Sequence, residues 1–550
     1  MKDFSSLQGA GARLARRVAD EARATAHARR AGLLVLDSPA RTIATMRALE
    51  RLGQLGGAVA VAAIRHGERV GLVDERGALT FAQLNARSDA FACALRARGV
   101  REGTGVGILC RNHRGFLDAT FGAARVGARV LYLNTDFAGP QLRDVCEREG
   151  VALLIHDEEY SELVGGFEPR HGRLIAWTDG ETDGDTVERL LAAHAGQVPP
   201  APRERASVVL LTSGTTGTPK GAPRHQGHSL VPVGALLSKV PYRAGESTYV
   251  AAPMFHGLGF TQMILAVMLG STTITRRRFA AESVLEAIAR ERPTGLVVVP
   301  VMLQRIVSVL ESEPGRCDTG SLRIVFCSGS QLEAELVRRA RRVLGEVVYN
   351  FYGTTEVAYA TFATPEDLRD APGCAGRVPF GAVVRLYDED GRVVAGPGRF
   401  GRIFVGNGFQ FDGYTGGGSK EEIGGLMSTG DVGHFDAHGR LFIDGRDDDM
   451  IVSGGENLFP GEVEELLLTH PAVEETAVIG VEDAEFGARL SAFVVVRGGA
   501  SLSEEEVREF VRENLARYKV PRDVTFLSEL PRTPTGKVLK RELRARHASA

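Results

Sequence analysis

The apolar run Val208-Val209-Leu210-Leu211 feeds into Thr212-Ser213-Gly214-Thr215-Thr216-Gly217-Thr218-Pro219-Lys220-Gly221, a loop of small hydroxyl and glycine residues with a lysine near its end. Glycines let backbone N–H groups turn toward an anion, hydroxyls add donors, and Lys220 supplies positive charge, so this stretch is a candidate triphosphate cradle. A kinase-type P-loop requires G-x-x-x-x-G-K-[S/T]. Here Gly217 stands three residues before the lysine and Gly221 follows it, so that reading fails on spacing. Only seven of the 66 basic residues are lysines, and where one persists a compact, movable point charge is favoured over a planar fork. The second lysine singled out this way is Lys537, in Pro531-Arg532-Thr533-Pro534-Thr535-Gly536-Lys537-Val538. Prolines and a glycine there suit a loop held in one shape.

Between these lysines lie four further candidate segments. Ala252-Pro253-Met254-Phe255-His256-Gly257-Leu258-Gly259 places a histidine after an apolar run, with no neighbouring serine, cysteine or acid to form a nucleophile-base set. Ser328-Gly329-Ser330 follows a β-rich run. Tyr349-Asn350-Phe351-Tyr352-Gly353-Thr354-Thr355-Glu356 follows another, and Ser428-Thr429-Gly430-Asp431 precedes Gly445-Arg446. In this order the segments resemble the signatures of the adenylate-forming (ANL) superfamily, which includes acyl-CoA synthetases, luciferases and nonribosomal-peptide adenylation domains. The resemblance covers about residues 60–545.

The resemblance implies roles. Thr212, Ser213, Gly214, Thr215, Thr216, Gly217, Thr218 and Lys220 would hold ATP phosphates, and Gly329 and Ser330 would line the adenine and acyl pockets. Asn350, Phe351, Tyr352 and Gly353 would form the adenine strand, with Tyr352 stacking on the base. Thr355 would bind phosphate, and Glu356 would help hold Mg2+, an ion suited to hard oxygen donors. Asp431 and Arg446 would contact the ribose, and His256 would lie beside the carboxylate substrate. Lys537 would be the catalytic lysine of adenylation. After a rotation of the small C-terminal domain about Asp448, a different face carrying Ser453, Gly454, Gly455 and Glu456 would serve transfer to coenzyme A. Phe459-Pro460-Gly461 departs from the usual tyrosine-containing form of its segment, without touching the chemistry.

Positioning these groups needs parallel sheets. From Gly71 onward, β-rich runs at 106–109, 151–155, 208–211, 296–299 and 322–326 alternate with helical patterns, which predicts two parallel-type α/β subdomains. Between residues 380 and 442, short strands separated by turns such as Asp390-Gly391 and His438-Gly439 predict an antiparallel, barrel-like portion. Beyond residue 448 a compact α+β unit is expected: helix 460–468, strands 477–481 and 490–496, and helix 503–515 with a Ser503/Glu506 capping box. The domain reading is therefore a helical extension 1–60, an AMP-binding domain 61–447 and a small, mobile C-terminal domain 448–550.

Composition narrows the function classes. The chain of 550 residues is 43% hydrophobic and 25% charged with net charge -3, which gives no electrostatic footprint for nucleic acid. Six cysteines without C-x-x-C spacing suggest neither zinc nor a disulfide framework. No apolar run reaches the roughly 18 residues of a membrane span, and no signal peptide is evident, so a cytoplasmic enzyme is expected. The Ala/Arg-rich first 60 residues, with formal charge of about +5, are read as solvated helices docked on a larger body; the alternative is contact with a partner or the inner membrane face. The expected activity is a ligase using ATP, Mg2+ and coenzyme A on a carboxylic acid, with medium- or long-chain fatty acid as first choice because charge is sparse between 258 and 269. An aryl acid, or a carrier protein in place of coenzyme A, are the alternatives. The oligomeric state is expected to be monomer or homodimer.

Overall fold

The computed structural model describes residues 4–211, 220–223, 229–447, 451–453, 456–458, 460–483, 487–515, 519–534 and 536–548. It is a mixed α/β structure with a large N-terminal part and a small C-terminal one. The predicted parallel runs form two sheets. One has six strands, in which Gly105–Leu109 sits between Arg129–Tyr132 and Val151–Asp157, with Ser207–Leu211 beyond. All five residues of Gly105–Leu109 are buried, as a strand covered on both faces must be. The other has eight strands, built around parallel Ser247–Val250, Gly295–Val298, Ile324–Cys327 and Val348–Tyr352. Toward its far edge Val70–Asp74 pairs with Thr272–Ile274, some 200 positions later, and with the edge strand Gly77–Thr80.

Between the sheets runs Arg114–Val126, whose every residue is buried. Its charges are paired: Arg114 meets Asp74 at 2.6 Å and Arg125 meets Asp89 at 2.7 Å. Leaving either partner alone in the core would be costly, so these pairs fix how the helix sits.

The Gly-rich stretch forms an antiparallel six-stranded sheet in which Leu426–Phe435 pairs with Gly401–Asn407 and with Leu441–Arg446. The C-terminal unit follows the predicted pattern with longer strands: helix Pro460–Leu468, antiparallel Val473–Asp483 and Gly487–Val496, and Glu504–Asn514 capped by the Ser503/Glu506 box. Asp523–Leu527 adds a parallel third strand. Asp448, the expected hinge, lies outside the described residues.

The extension is helical: Phe4–Arg30 and Pro39–His66. Ala24 and Ala28 are fully buried, and a Cβ on Gly234 would collide with Ala24, so the first helix packs closely on Val231–Lys239.

Candidate active site

The predicted phosphate loop is reached at its two ends. Thr212, Ser213, Gly214, Thr215, Thr216, Gly217 and Thr218 lie outside the described residues, as do Gly454 and Gly455. Ser207–Leu211 and Gly221–Pro223 pair antiparallel, with Leu211 opposite Gly221, so the loop leaves from and returns to one edge of the six-stranded sheet. Lys220 Nζ sits 5.2 Å from the centroid of the Tyr414 ring. The Tyr414 hydroxyl donates to Glu356 Oε1 at 2.9 Å. Tyr414 thus joins the loop's lysine to the carboxylate expected to bind metal.

Glu356 is buried, and its backbone carbonyl accepts from Phe411 N–H at 2.8 Å. A single hard carboxylate beside a phosphate loop suits Mg2+, which keeps most of its shell from water and substrate phosphate, so the donor chemistry fits that ion. Thr354 Oγ1 accepts from the N–H groups of Glu356 and Val357, fixing the turn that presents Thr355 and Glu356. Gly353 leaves no room for a Cβ against the Ala358 carbonyl, and Ala358 itself takes φ 64°, a region non-glycine residues rarely adopt.

The strand Val348–Tyr352 carries both packing and site groups. Asn350 gives its amide to the Cys374 carbonyl, and Phe351 stacks on Phe326 and meets Phe362 at a tilt; both hold the strand in the core. Tyr352 at the strand's end donates to Asp431 Oδ2 at 2.6 Å, and Arg446 Nη1 meets Asp431 Oδ1 at 3.1 Å. Strand register makes the second pair, because Asp431 and Arg446 are direct partners in the antiparallel sheet. Burial pushes the Asp431 carboxyl above its ordinary range while Arg446 pulls it back, and burial with Asp431 raises the Tyr352 phenol far above its own. Gly329, at φ 103°, and Ser330 form the turn after Ile324–Cys327.

His256 precedes the helix Gly257–Met268, with its ring 4.5 Å from Phe255. Its Nε2 is buried without a hydrogen-bond partner. Burial, and secondarily the nearby Lys537, push its pKa down to about 3, so the ring is neutral. Asn112 carries this segment: its side chain donates to the Ala252 carbonyl at 3.0 Å and accepts from Met254 N–H at 2.7 Å. Neither Asn112 nor Tyr414 stands in a local motif. Each is a lone residue whose partner lies far along the chain.

Lys537 reaches this cluster from the small domain. Its loop is a tight turn: Lys537 N–H donates to Thr533 Oγ1, Thr533 N–H to the Lys537 carbonyl, and Arg532 to the Gly536 carbonyl. Gly536, at φ 78°, lies so close to the large domain that a Cβ there would stand 2.5 Å from Val301 Cγ1. Lys537 is solvent-accessible. Enough protein surrounds it that desolvation holds its ammonium below the ordinary lysine range, opposed by Asp431 and Glu356 and assisted by Arg446. Ser453 and Glu456 are register partners across the short antiparallel strands Ile451–Ser453 and Glu456–Leu458, which form a two-stranded sheet of their own.

A separate cluster, Cys110, His113 and Asp157, has metal-binding residue types. His113 Nδ1 accepts from Gly115 N–H at 3.0 Å and Nε2 faces Asp157 Oδ1 at 2.7 Å. Both ring nitrogens are engaged, so the cluster reads as a buried structural pair.

Comparison with known proteins identifies the family. The family model for AMP-binding enzymes matches residues 59–415, and that for the AMP-binding enzyme C-terminal domain matches 462–537. A feruloyl-CoA synthase of Amycolatopsis sp is 35% identical over 88% of this chain and 95% of its own length. A long-chain-fatty-acid–CoA ligase of Mycobacterium tuberculosis is 31% identical over 86% and 93%. The o-succinylbenzoate CoA synthetase of Bacillus subtilis, solved with its acyl-adenylate, superposes with a TM-score of 0.77 at 28% identity, covering 88% of this chain and 97% of that one. The chain belongs to the AMP-binding enzyme family, within the adenylate-forming superfamily.

Proposed function

We propose that this enzyme is an AMP-forming acid–thiol ligase that converts a medium- or long-chain fatty acid to its coenzyme A thioester. A carboxylate oxygen attacks the α-phosphorus of ATP, the bond to the β-phosphate oxygen breaks, and pyrophosphate leaves. The coenzyme A sulfur then attacks the acyl carbon, the carbon–oxygen bond to the nucleotide breaks, and AMP leaves.

The observation that carries this reading is the convergence of Lys537 from the small domain with Asp431, Arg446 and Glu356 from the large one. Developing negative charge at the α-phosphate calls for such a movable cation in a preorganised site. Lys537 neutralises it. Tyr352, Asp431 and Arg446 hold the nucleoside end, and Lys220 with its loop holds the phosphates. Glu356 would hold Mg2+, which when bound would supply positive charge against the leaving pyrophosphate. Neutral His256 positions the carboxylate without competing for a proton.

The fatty tail is supported by Gly257–Met268, which follows His256 without one charged side chain, and by the fatty-acid ligase among the relatives. A second reading, an aryl acid, is favoured by the feruloyl-CoA synthase. Pyrophosphate release with a panel of acids, with and without coenzyme A, separates them. Coenzyme A-dependent turnover highest on octanoate to palmitate supports the first reading; preference for cinnamates installs the second. Release without any acyl-CoA product would point to a carrier protein as acceptor.

A further inference from the structure

The helix Pro39–His66 is broken at Gly53, whose φ is 73°, so 39–52 is a segment of its own, about 21 Å long at ~1.5 Å per residue. Ser38 caps its start, and Arg205 holds its end through the carbonyls of Glu50 and Arg51. Only Thr45 and Leu52 of this segment are buried. Ile43 (49% exposed), Met46 (65%) and Leu49 (39%) point outward, and Val35 and Leu36 just ahead are more than half exposed. Among the described residues, six of the eleven exposed large hydrophobic side chains lie between positions 18 and 49, so apolar exposure is concentrated here. Arg41, Arg47 and Arg51 are exposed on the same segment. Of the nearby carboxylates, Asp37 is neutralised by Arg65 at 2.8 Å, leaving Glu50.

We propose that this segment is an interfacial helix that seats the enzyme on an anionic lipid surface. Apolar side chains of this kind enter the headgroup boundary while arginine stems lie along it and carry their charge to lipid phosphates. Charge sets the orientation: the first 60 residues carry about +5 while the whole chain totals -3, so an anionic surface attracts the extension and repels the remainder. The helix lies on the bilayer and does not cross it, since no described helix is long and apolar enough to span one. The segment precedes the AMP-binding match, which begins at 59, so the proposal stands independently of the substrate reading.

Co-sedimentation of the full chain with vesicles tests it, in the absence of substrate. The wild type is expected to pellet with phosphatidylglycerol–phosphatidylcholine vesicles, to stay in solution with phosphatidylcholine alone, and to be released by high salt. Ile43→Ser with Met46→Ser, and separately Arg41→Glu with Arg47→Glu, should each weaken partitioning by roughly tenfold or more. Pyrophosphate release on a water-soluble acid should stay at the wild-type level in both, showing that the fold is intact. Failure of the wild type to bind anionic vesicles, or equal binding by both variants, overturns the proposal. So does lipid-free self-association that the apolar variant abolishes, which would give the face to a second copy of this chain.

Discussion

Lys537 is one of only seven lysines among 66 basic residues, and its surroundings explain the choice. Desolvation and Arg446 disfavour its charge, and Asp431 and Glu356 restore it, which leaves a cation ready to serve incoming phosphate oxygens. Lys537→Ala should slow acyl-adenylate formation by roughly a hundredfold or more, the size expected for one preorganised charge-stabilising donor. Turnover of supplied acyl-adenylate with coenzyme A should fall only a few fold. Equal loss in both half-reactions, measured separately, would remove Lys537 from its proposed role. His256 makes the opposite use of burial. Its pKa is lowered from 6.5 to about 3, so between those values the unfolded chain takes up a proton that the folded chain refuses. The group therefore subtracts stability as pH falls from 6.5 toward 3 and has no pH-dependent effect above that window. Adenylation should accordingly show no inflection near the ordinary histidine value, and His256→Gln should lower the rate by the same factor on both sides of it. A factor that changes across about pH 6.5 would mean that the ring ionises in the working enzyme.

The strands and turns decide which side chains meet. The period of apolar runs at 106–109, 151–155 and 208–211 was enough to read a parallel sheet, because a strand buried on both faces must be apolar throughout. The Ser503/Glu506 box was equally visible, since both partners sit within one helical turn. Asp431 and Arg446 could be named from local motifs, while their being register partners depends on how two strands pair. What stayed hidden were contacts across the chain: Tyr414 to Glu356 over 58 positions, Asn112 to Met254 over 142, and Val70–Asp74 pairing with Thr272–Ile274. No local pattern marks such residues, because their role exists only after the two sheets pack. Asn112 is the sharpest case. Asn112→Ala would strand the Met254 N–H and the Ala252 carbonyl in a buried setting, costing about 1–3 kcal/mol and loosening the segment that aims His256. Thermal unfolding should shift down by roughly 1–4 °C for a unit of this size, with KM for the acid raised; an unchanged KM would separate Asn112 from the site.

The whole molecule is joined by a second contact besides the Lys537 loop, and its charges oppose it. Glu333 from the large domain faces Glu464 and Glu465 on the small domain's Pro460–Leu468, with Lys540 the opposing cation and itself paired to Glu464 at 3.4 Å. Glu465 also feels Asp444 and Glu462, with Gln331 and Arg338 on the favourable side. Burial first, and then these like charges, raise the Glu333 carboxyl well above its ordinary range, and its Oε2 is buried without a partner. Docking of the two domains in this arrangement therefore binds a proton. For a group raised on docking, the contribution is fully present below the ordinary carboxylate value of 4.5 and is lost as pH rises through the raised one. Since docking is what brings Lys537 to Asp431 and Glu356, rising pH should favour release of the small domain and slow adenylation. Glu333→Gln keeps the shape and removes the titration. Its rate of acyl-adenylate formation relative to wild type should climb steadily with pH, an effect distinct from deprotonation of Lys537, which both proteins share. A ratio flat across neutral and alkaline pH would show that Glu333 does not govern docking, whatever the two domains do between half-reactions.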